Sequence, residues 1–431
     1  MIRPASCSTR SGMRILVCSV EPPIEPLDGF RLQVRSLVTE LRRDHQVRVL
    51  ALGMPGQPIP AGSEIPGDEM RIVPRPPRGT VGRLVWVARA VLGRRPVGAK
   101  EVARMLRAPL AAELNAFKPD VVHVTHGQLA LLGRDLMGRA SVLGALDAQH
   151  LNVTAAAETA RGLRRRLLRG ESRRWRGMEA TEFELFDRVT VVSEADRAAL
   201  QSLNHKLRVE VIPNGVDTRH WAPNPDIPRE PGRIVFTGVL SYPPNIRAAT
   251  HLAREIFPLV RAAVPSAKLF IVGRAPGPAV SALGRLEGVT VVADAPDLRP
   301  YLWPSSVYAC PMISGSGIKN KLLEGLAVGL ACVGTPLATQ GLSVVSGREL
   351  LVAGTAQEFA ENLVRVLEDN ELAGRLGEAG RAYVVDHHQW SLTASAYTQV
   401  YGQVAQGRVQ APVALAAPSW LPEWLPDWRR P

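Results

Sequence analysis

Cysteines, aromatic side chains and long apolar runs are scarce in this chain, and each shortage excludes a class of protein. Only four of the 431 residues are cysteine, without paired spacing: Cys7, Cys18, Cys310 and Cys332. The last three stand in apolar runs, which is typical of reduced, buried thiols and disfavours a disulfide framework or a zinc site. No window holds about 18 uninterrupted apolar residues, so no transmembrane helix is predicted. The N-terminus lacks a secretory signal pattern, and we expect a cytoplasmic protein.

Several catalytic motifs are also missing. The sequence contains no Gly-x4-Gly-Lys-Ser/Thr loop, no Gly-x-Ser-x-Gly elbow and no His/Cys cluster with metal-ligand spacing, which disfavours an NTPase, a serine hydrolase and a zinc enzyme. The Gly-x-Gly at 315–317 is not a dinucleotide fingerprint, because the third glycine and the later acidic residue are absent. We expect no metal and no bound cofactor.

The length and the pattern of apolar runs predict two similar α/β domains. A chain of 431 residues exceeds what one hydrophobic core usually serves. A buried strand at 14–20, a helix at 30–43 and a second strand at 47–52 form one strand–loop–helix–strand unit. The same order recurs about 220 residues later, at 233–238, 246–264 and 268–273, and such units build parallel sheets.

The predicted division of the chain has six parts. In order they are a disordered extension (1–12), an N-terminal Rossmann-like domain (13–216), a linker (217–232), a C-terminal Rossmann-like domain (233–389), a further helix (390–404) and a tail rich in Pro and Trp (405–431).

The positive charge lies almost wholly in the first half. Residues 1–215 hold 33 Lys/Arg against 22 Asp/Glu, whereas the remainder holds 19 against 18. Much of the excess is one run of arginines interleaved with leucine and tryptophan: Arg161, Arg164, Arg165, Arg166, Arg169, Arg173, Arg174 and Arg176. This pattern fits either a solvated helix face or a surface that meets anionic lipid or a phosphate-bearing acceptor. Nucleic acid is a poorer partner, because no nucleic-acid-binding signature accompanies the charge and aromatic residues are only 5%.

Open α/β sheets bind ligands beyond the carboxyl ends of their strands, so the informative residues should lie in post-strand loops. After the first strand, Gly29 and Phe30 open a helix, where free amides and the helix dipole favour a phosphate. A stronger segment is 311–329, in which Gly315 and Gly317 can wrap an anion and lysines can neutralise it. The two lysines are Lys319 and Lys321, and Glu324, one turn into the following helix, could grip a ribose diol.

This segment resembles the donor-binding motif of the GT4 family of retaining glycosyltransferases with the GT-B fold. Further matches lie in Asp28-Gly29, Val192-Ser193-Glu194, 211–217, 236–238 with 243–245, 271–274 and 335–341, so that the resemblance covers roughly residues 13–402. The Gly-Ser-Gly-Ile-Lys-Asn-Lys version of the motif is similar to a branch of bacterial exopolysaccharide sugar transferases. The resemblance implies an α/β protein of two Rossmann-like domains facing a central cleft, with a C-terminal crossover helix (390–404) that returns to the first domain. It also implies that the domain 13–216 binds the acceptor and the domain 233–389 binds the nucleotide sugar.

The resemblance also implies roles for residues. Lys319 and Lys321 would stabilise the departing diphosphate without a metal, and Glu324 would hold the ribose. The remaining donor-binding positions would contact the diphosphate, the sugar-phosphate or the border of the base: Gly29, Phe30, Gly238, Asn245, Gly273, Arg274, Gly315, Ser316, Gly317 and Ile318.

Two departures from the family pattern affect the donor site. Ser316 replaces the first glutamate of the motif, which in the family contacts hydroxyls of the donor sugar, so sugar recognition must differ here. The Arg/Lys pair that many members carry after the first strand of the second domain is not evident in 241–245. We therefore expect Lys319 and Lys321 alone to bind the phosphate.

His126, like Lys319 and Lys321, is a candidate catalytic residue, whereas Asp147 and His150 are candidates on the acceptor side. His126 follows a strand of the first domain and would face the sugar, as a histidine often does in this family, whereas His123 lies within the strand and is expected in the core. Asp147 and His150 are expected in another post-strand loop, where both could touch the acceptor.

The resemblance implies transfer of a hexosyl group from a nucleotide-diphosphate sugar to a hydroxyl, with retention, in exopolysaccharide or glycolipid assembly. The expected partners are the donor, a glycan or lipid-linked acceptor and the anionic inner face of a membrane. Two alternatives stay open, a nucleotide-sugar epimerase on the same architecture and a degenerate, non-catalytic nucleotide-sugar-binding scaffold. An epimerase would need acid/base carboxylates in the cleft, and no convincing pair is evident.

Overall fold

A computed structural model describes residues 12–25, 29–54, 70–75, 93–315 and 317–409. Most of the N-terminal extension, Ser316 and residues 410–431 lie outside the described ranges. Within those ranges, no helix is both long enough and apolar enough to cross a bilayer.

The first sheet has seven strands, all parallel, in the order β3-β2-β1-β4-β5-β6-β7. Their bounds are β1 Arg14–Ser19, β2 Gln46–Leu52, β3 Met70–Val73, β4 Val121–Thr125, β5 Ser141–Leu146, β6 Arg188–Val191 and β7 Val209–Val211. The order reverses between β1 and β4, and a crevice opens there at the carboxyl ends of the strands.

The second sheet repeats this plan with six parallel strands in the order β10-β9-β8-β11-β12-β13. Its strands are β8 Arg233–Val239, β9 Lys268–Arg274, β10 Val289–Ala293, β11 Val307–Cys310, β12 Ala331–Gly334 and β13 Leu351–Val352. The corresponding reversal lies between β8 and β11, so each sheet offers one crevice to a ligand.

Helices cover both faces of the sheets. In the first domain they are α1 Gly29–Leu41, α2 Ala99–Phe117, α3 Gln149–Thr159, α4 Gly162–Thr181 and α5 Glu194–Leu203. The second domain continues with α6 Pro243–His251, α7 Phe257–Ala263, α8 Pro278–Ser281, α9 Arg299–Leu302, α10 Asn320–Ala327, α11 Ala356–Glu368, α12 Asn370–His387 and α13 Trp390–Val409. Short 3₁₀ segments at Gly127–Leu136, Phe183–Leu185 and Ala282–Arg285, and a π turn at Leu252–Ile256, complete the described elements.

The alternation of side chains along β1 explains this layering. Ile15 and Val17 point to one face of the sheet and Leu16 and Cys18 to the other, and all four are fully buried in two different apolar clusters. A parallel strand that is apolar on both faces needs helices on both sides, which is the arrangement observed. The buried Cys18 agrees with the expectation of reduced thiols in the core.

The C-terminal helix α13 packs on the first domain, which confirms the predicted crossing. Tyr397 and Tyr401 join the same apolar cluster as Ile15. The Tyr401 hydroxyl lies 2.6 Å from His123 Nδ1, and the Tyr397 hydroxyl lies 3.0 Å from Thr190 Oγ1. The helix runs to Val409, five residues beyond the predicted end at 404. The fold is therefore two Rossmann-like domains, and His123 belongs to the core as expected.

Candidate functional site

The donor loop connects β11 to α10 and depends on its glycines. Gly315 has φ 101° and Gly317 has φ 67°, conformations that side-chain-bearing residues rarely adopt. The chain then enters α10 at Asn320, whose first amides lack partners within the helix. A loop with this backbone, followed at once by a helix N-terminus, is suited to an anion.

Lys319 folds back over the donor loop. Its Nζ donates to the carbonyl oxygens of Gly315 (3.2 Å) and Gly317 (2.5 Å), and its side chain is buried. Burial lowers the pKa of Lys319, while the carboxylates of Asp147 and Asp196 in the first domain oppose that shift. Lys319 therefore shapes the loop and places a positive charge on the side that faces the first domain.

Lys321 points towards the end of β8. Its Nζ donates to Asn245 Oδ1, and the ammonium lies 5.0 Å from the centre of the Phe236 ring. Burial lowers the pKa of Lys321 to about 8. Gly238 makes room for this contact, because a Cβ atom there would lie 2.9 Å from both Lys321 Nζ and Asn245 Nδ2. Asn245 thus holds Lys321 and borders the same space.

Glu324 lies three residues after Lys321, on the same face of α10. Burial raises the pKa of its carboxyl to about 7, and the neighbouring Lys321 charge partly opposes the rise. A carboxyl and an ammonium whose pKa values both approach neutrality, one turn apart beside a crevice, form a typical binding-site arrangement.

Helix α1 of the first domain faces this loop across the cleft. Gly29 begins α1, and a Cβ atom there would lie 3.8 Å from Asn320 Nδ2 at the start of α10. The N-termini of the two helices therefore meet, and both present free amides. The ring of Phe30 packs edge-on against His126, with centroids 5.6 Å apart.

His126 is held in an unusual conformation at the end of β4. Its φ is 80°, and its Nδ1 accepts from the Gln128 amide at 3.1 Å. Burial lowers its pKa to about 4, so the ring is neutral at physiological pH. With Nδ1 accepting, the ring proton sits on Nε2, which is then a hydrogen-bond donor. The ring stands between Phe30 and Trp175.

Asp147 reaches the donor loop from the end of β5. Leu146 before it has φ 69°, a strained conformation for a bulky residue. A Cβ atom on Gly317 would lie 2.6 Å from Asp147 Oδ1. Asp147 also accepts from Asn152 Nδ2 at 3.4 Å. The structure therefore brings an acceptor-side candidate directly against the donor loop.

The expectation that His150 lies in a loop is wrong. It occupies the first turn of α3, and its side chain is buried. Its Nδ1 is 2.5 Å from Glu179 Oε2, and its backbone amide donates to Glu179 Oε1 at 3.2 Å. The buried carboxylate caps this helix end and turns the imidazole inward. An acceptor-side role for His150 stays a prediction.

Gly273 and Arg274 are the last two residues of β9. Gly273 pairs with Gly238, and a Cβ atom on Gly273 would be 1.8 Å from the Gly238 carbonyl oxygen. Glycine is therefore required there for close strand packing, and Arg274 follows at the edge of the crevice. The side chain of Ile318 is buried against Gly341, which leaves only the backbone of Ile318 for contact with a ligand. Ser316 lies outside the described residues.

Sequence reasoning missed two polar residues at the contact between the domains. Asn214 Nδ2 donates to Asn320 Oδ1 at 3.2 Å, which joins the end of the first domain to the start of α10. Asp196 is buried, accepts from the Ala148 amide at 2.9 Å and acts on Lys319. The signal was available, because Asn214 lies in the segment 211–217 and Asp196 closely follows 192–194, both of which carry the family resemblance.

No group of three His, Cys, Asp or Glu side chains with metal-binding geometry occurs among the described residues. The charged groups at the cleft are instead Lys319, Lys321, Glu324, Asp147 and Asp196. The two lysines and the two helix N-termini together favour an anionic ligand.

Comparison with known proteins agrees with this geometry. Residues 28–220 match the family model "Glycosyltransferase Family 4" and residues 231–369 match "Glycosyl transferases group 1". The chain is 26% identical to the alpha-maltose-1-phosphate synthase of Mycolicibacterium smegmatis, over 91% of this chain and all of that protein.

Solved structures show the same fold. The sucrose-phosphate synthase of Thermosynechococcus elongatus superposes with a TM-score of 0.70 at 17% identity, covering 92% of this chain and all of that one. Anabaena Alr3699/HepE in complex with UDP-glucose superposes with a TM-score of 0.59 at 13% identity, covering 93% and 100%.

Proposed function

Since this chain belongs to the GT4-type glycosyltransferases of GT-B fold, which use nucleotide sugars, we propose that it transfers a hexosyl group to a hydroxyl with retention of anomeric configuration. The observation that carries the proposal is the placement of Lys321 and Glu324 on one face of α10, beside the glycine-rich donor loop. Both groups project where a parallel sheet receives a nucleotide.

The proposed donor orientation follows from charge and hydrogen-bonding capacity. The diphosphate lies between the amides of Gly29 and those at the start of α10, with Lys319 and Lys321 balancing its charge. The ribose diol donates to the Glu324 carboxylate, which offers two acceptor oxygens. Base and ribose then lie in the second domain, at the edge marked by Gly273 and Arg274. A bound UDP-glucose in the structurally similar Alr3699/HepE supports a ligand of this class.

The chemistry proposed for this arrangement needs no metal. The bond between the anomeric carbon and the diphosphate oxygen breaks, and the two lysines stabilise the charge that develops on the leaving group. The acceptor oxygen bonds to the anomeric carbon on the same face, and its proton passes to the departing phosphate, the nearest base on that face. Neutral His126, with Nε2–H as donor, and Asp147 orient sugar hydroxyls.

The acceptor is proposed to bind the basic first domain. Names of similar proteins, such as alpha-maltose-1-phosphate synthase and sucrose-phosphate synthase, indicate saccharide products. We place the reaction in glycan or glycolipid assembly of the exopolysaccharide kind, in the cytoplasm at the inner face of the membrane. Exposed Leu163 and Leu167 among the arginines of α4 support a peripheral membrane contact.

The test is turnover of UDP-, GDP- and ADP-hexoses in the presence of a chelator, with proton NMR of the product anomer. Transfer predicts release of one nucleoside diphosphate and an anomeric coupling unchanged from the donor. Lys321→Ala should lower turnover by about 10²- to 10³-fold. Lys268→Ala, at an exposed lysine on the same domain, should leave it unchanged. Interconversion of the sugar without nucleotide release would identify an epimerase, and binding without turnover a scaffold.

A further inference from the structure

A cavity of about 320 Å³ lies between α3 and α4 of the first domain, separate from the donor loop. Its lining combines cationic and hydroxyl side chains with one carboxylate: Arg169, Arg173, Arg176, Thr154, Ser172 and Glu158. Ligand sites in proteins start at about 300 Å³, so the cavity has room for a group as small as a phosphate ester.

The three arginines form one face of α4. Their spacing of four and three residues places Arg169, Arg173 and Arg176 on the same side of the helix. None of the three has an ion-pair or hydrogen-bond partner among the described residues, whereas Arg174 on another face is bound to Glu171 at 3.0 Å. Three guanidinium groups against one carboxylate leave the cavity positively charged.

Hydroxyl groups line the cavity beside the arginines. Ser172 Oγ is 2.7 Å from Thr154 Oγ1, and both hydroxyls lie within hydrogen-bond distance of the His150 carbonyl oxygen. Ser172 is buried, so its hydroxyl is fixed in position. The proton of each hydroxyl is used within this network, so the hydroxyls join α3 to α4, and the arginine forks are the groups that match the oxygens of a phosphate ester.

The cavity lies along the helix that begins at the cleft. Asp147, which touches the donor loop, directly precedes α3, and Thr154 and Glu158 follow it by about two and three turns. A rise of about 1.5 Å per residue puts the cavity roughly 10–16 Å from the cleft edge. A short oligosaccharide spans that distance.

From this arrangement we propose that the cavity binds the phosphate ester of the acceptor, whose sugar extends along α3 to the cleft. The proposal rests on the transferase function proposed above. The phosphate belongs either to a soluble sugar phosphate or to a lipid-linked saccharide, since both present the same oxygens to the arginines.

The test compares two triple variants of the full chain. R169Q/R173Q/R176Q removes the cavity charges, and R104Q/R139Q/R208Q removes the same charge from exposed positions of the first domain that lie outside both the cavity and α4. Calorimetry with glucose 1-phosphate and sedimentation with phosphatidylglycerol/phosphatidylcholine vesicles distinguish the two sources of phosphate. We expect the cavity variant to bind one probe at least about tenfold more weakly, and the control to change less than about twofold.

Binding of neither probe, or equal loss in both variants, overturns the proposal, because charge alone would then account for the effect. Nucleoside diphosphate binding, measured in parallel, should be the same in the wild type and both variants. Absence of that binding in all three proteins contradicts the proposed transferase function. The proposal for the cavity is tested separately, by the binding of glucose 1-phosphate and of the vesicles.

Discussion

Raising the pH from about 5.5 to about 9 charges one group of the donor site, the Glu324 carboxyl, and neutralises another, the Lys321 amine. Burial raises the pKa of Glu324 to about 7 and lowers that of Lys321 to about 8. Below pH 7 the carboxyl is protonated and accepts fewer hydrogen bonds from the ribose hydroxyls. Above pH 8 the amine loses the positive charge that binds phosphate. Donor affinity should therefore be highest in the narrow range between the two values.

The magnitude follows from these two pKa values. At one pH unit beyond either value, about nine-tenths of that group is in the wrong protonation state, which weakens binding roughly sevenfold relative to pH 7.5. The slope of log Kd against pH approaches one on each side. Bound donor stabilises the charged forms, so the breaks report the pKa values of the free protein.

The assay is calorimetric titration with an intact nucleotide sugar across this range, in metal-free buffer. A nucleotide sugar is preferred to a nucleoside diphosphate, because a terminal phosphate titrates near pH 6 and would obscure the acid side. Glu324→Gln should abolish the acid-side decrease and keep the alkaline one. An affinity that stays constant from pH 5.5 to pH 9, or an acid-side decrease that survives in Glu324→Gln, would refute the reasoning.

Two further predictions concern stability. Gly273→Ala places a Cβ atom 1.8 Å from the Gly238 carbonyl oxygen and should lower the free energy of unfolding by about 3 kcal/mol in urea titration, whereas Gly277→Ala, with open space around it, should change little. Tyr401→Phe removes the hydroxyl partner of buried His123 and should cost about 1–3 kcal/mol without altering donor affinity; an unchanged midpoint would show that the contact contributes nothing.

Local patterns in the sequence predicted much of the fold. Apolar runs at 14–20 and 233–238 became the central strands of two sheets, since a parallel strand buried on both faces has no polar alternation. The glycines and the following helix of the donor loop were predicted because positive φ and a helix N-terminus leave a local signature. The short strand Met70–Val73 was missed, since four partly exposed residues at a sheet edge carry little signal.

Long-range contacts could not be predicted in this way. His150 was expected in a loop because it closely follows the strand that ends at Leu146, and the partner that holds it in α3, Glu179, lies 29 residues away. Asn245 holds Lys321 from 76 residues away, and Asp147 meets Gly317 only when the two domains face each other. Such contacts depend on the arrangement of both sheets and not on neighbouring sequence.

The central claim is that the donor loop and α10 bind the diphosphate of a nucleotide sugar. The most direct measurement is calorimetric titration with UDP, GDP and ADP, without metal, of the wild type, Lys321→Ala, Glu324→Ala and the control Lys268→Ala. The account predicts micromolar binding of one nucleotide that both site variants lose and the control retains. No binding of any of the three, or binding that survives both site substitutions, would contradict it.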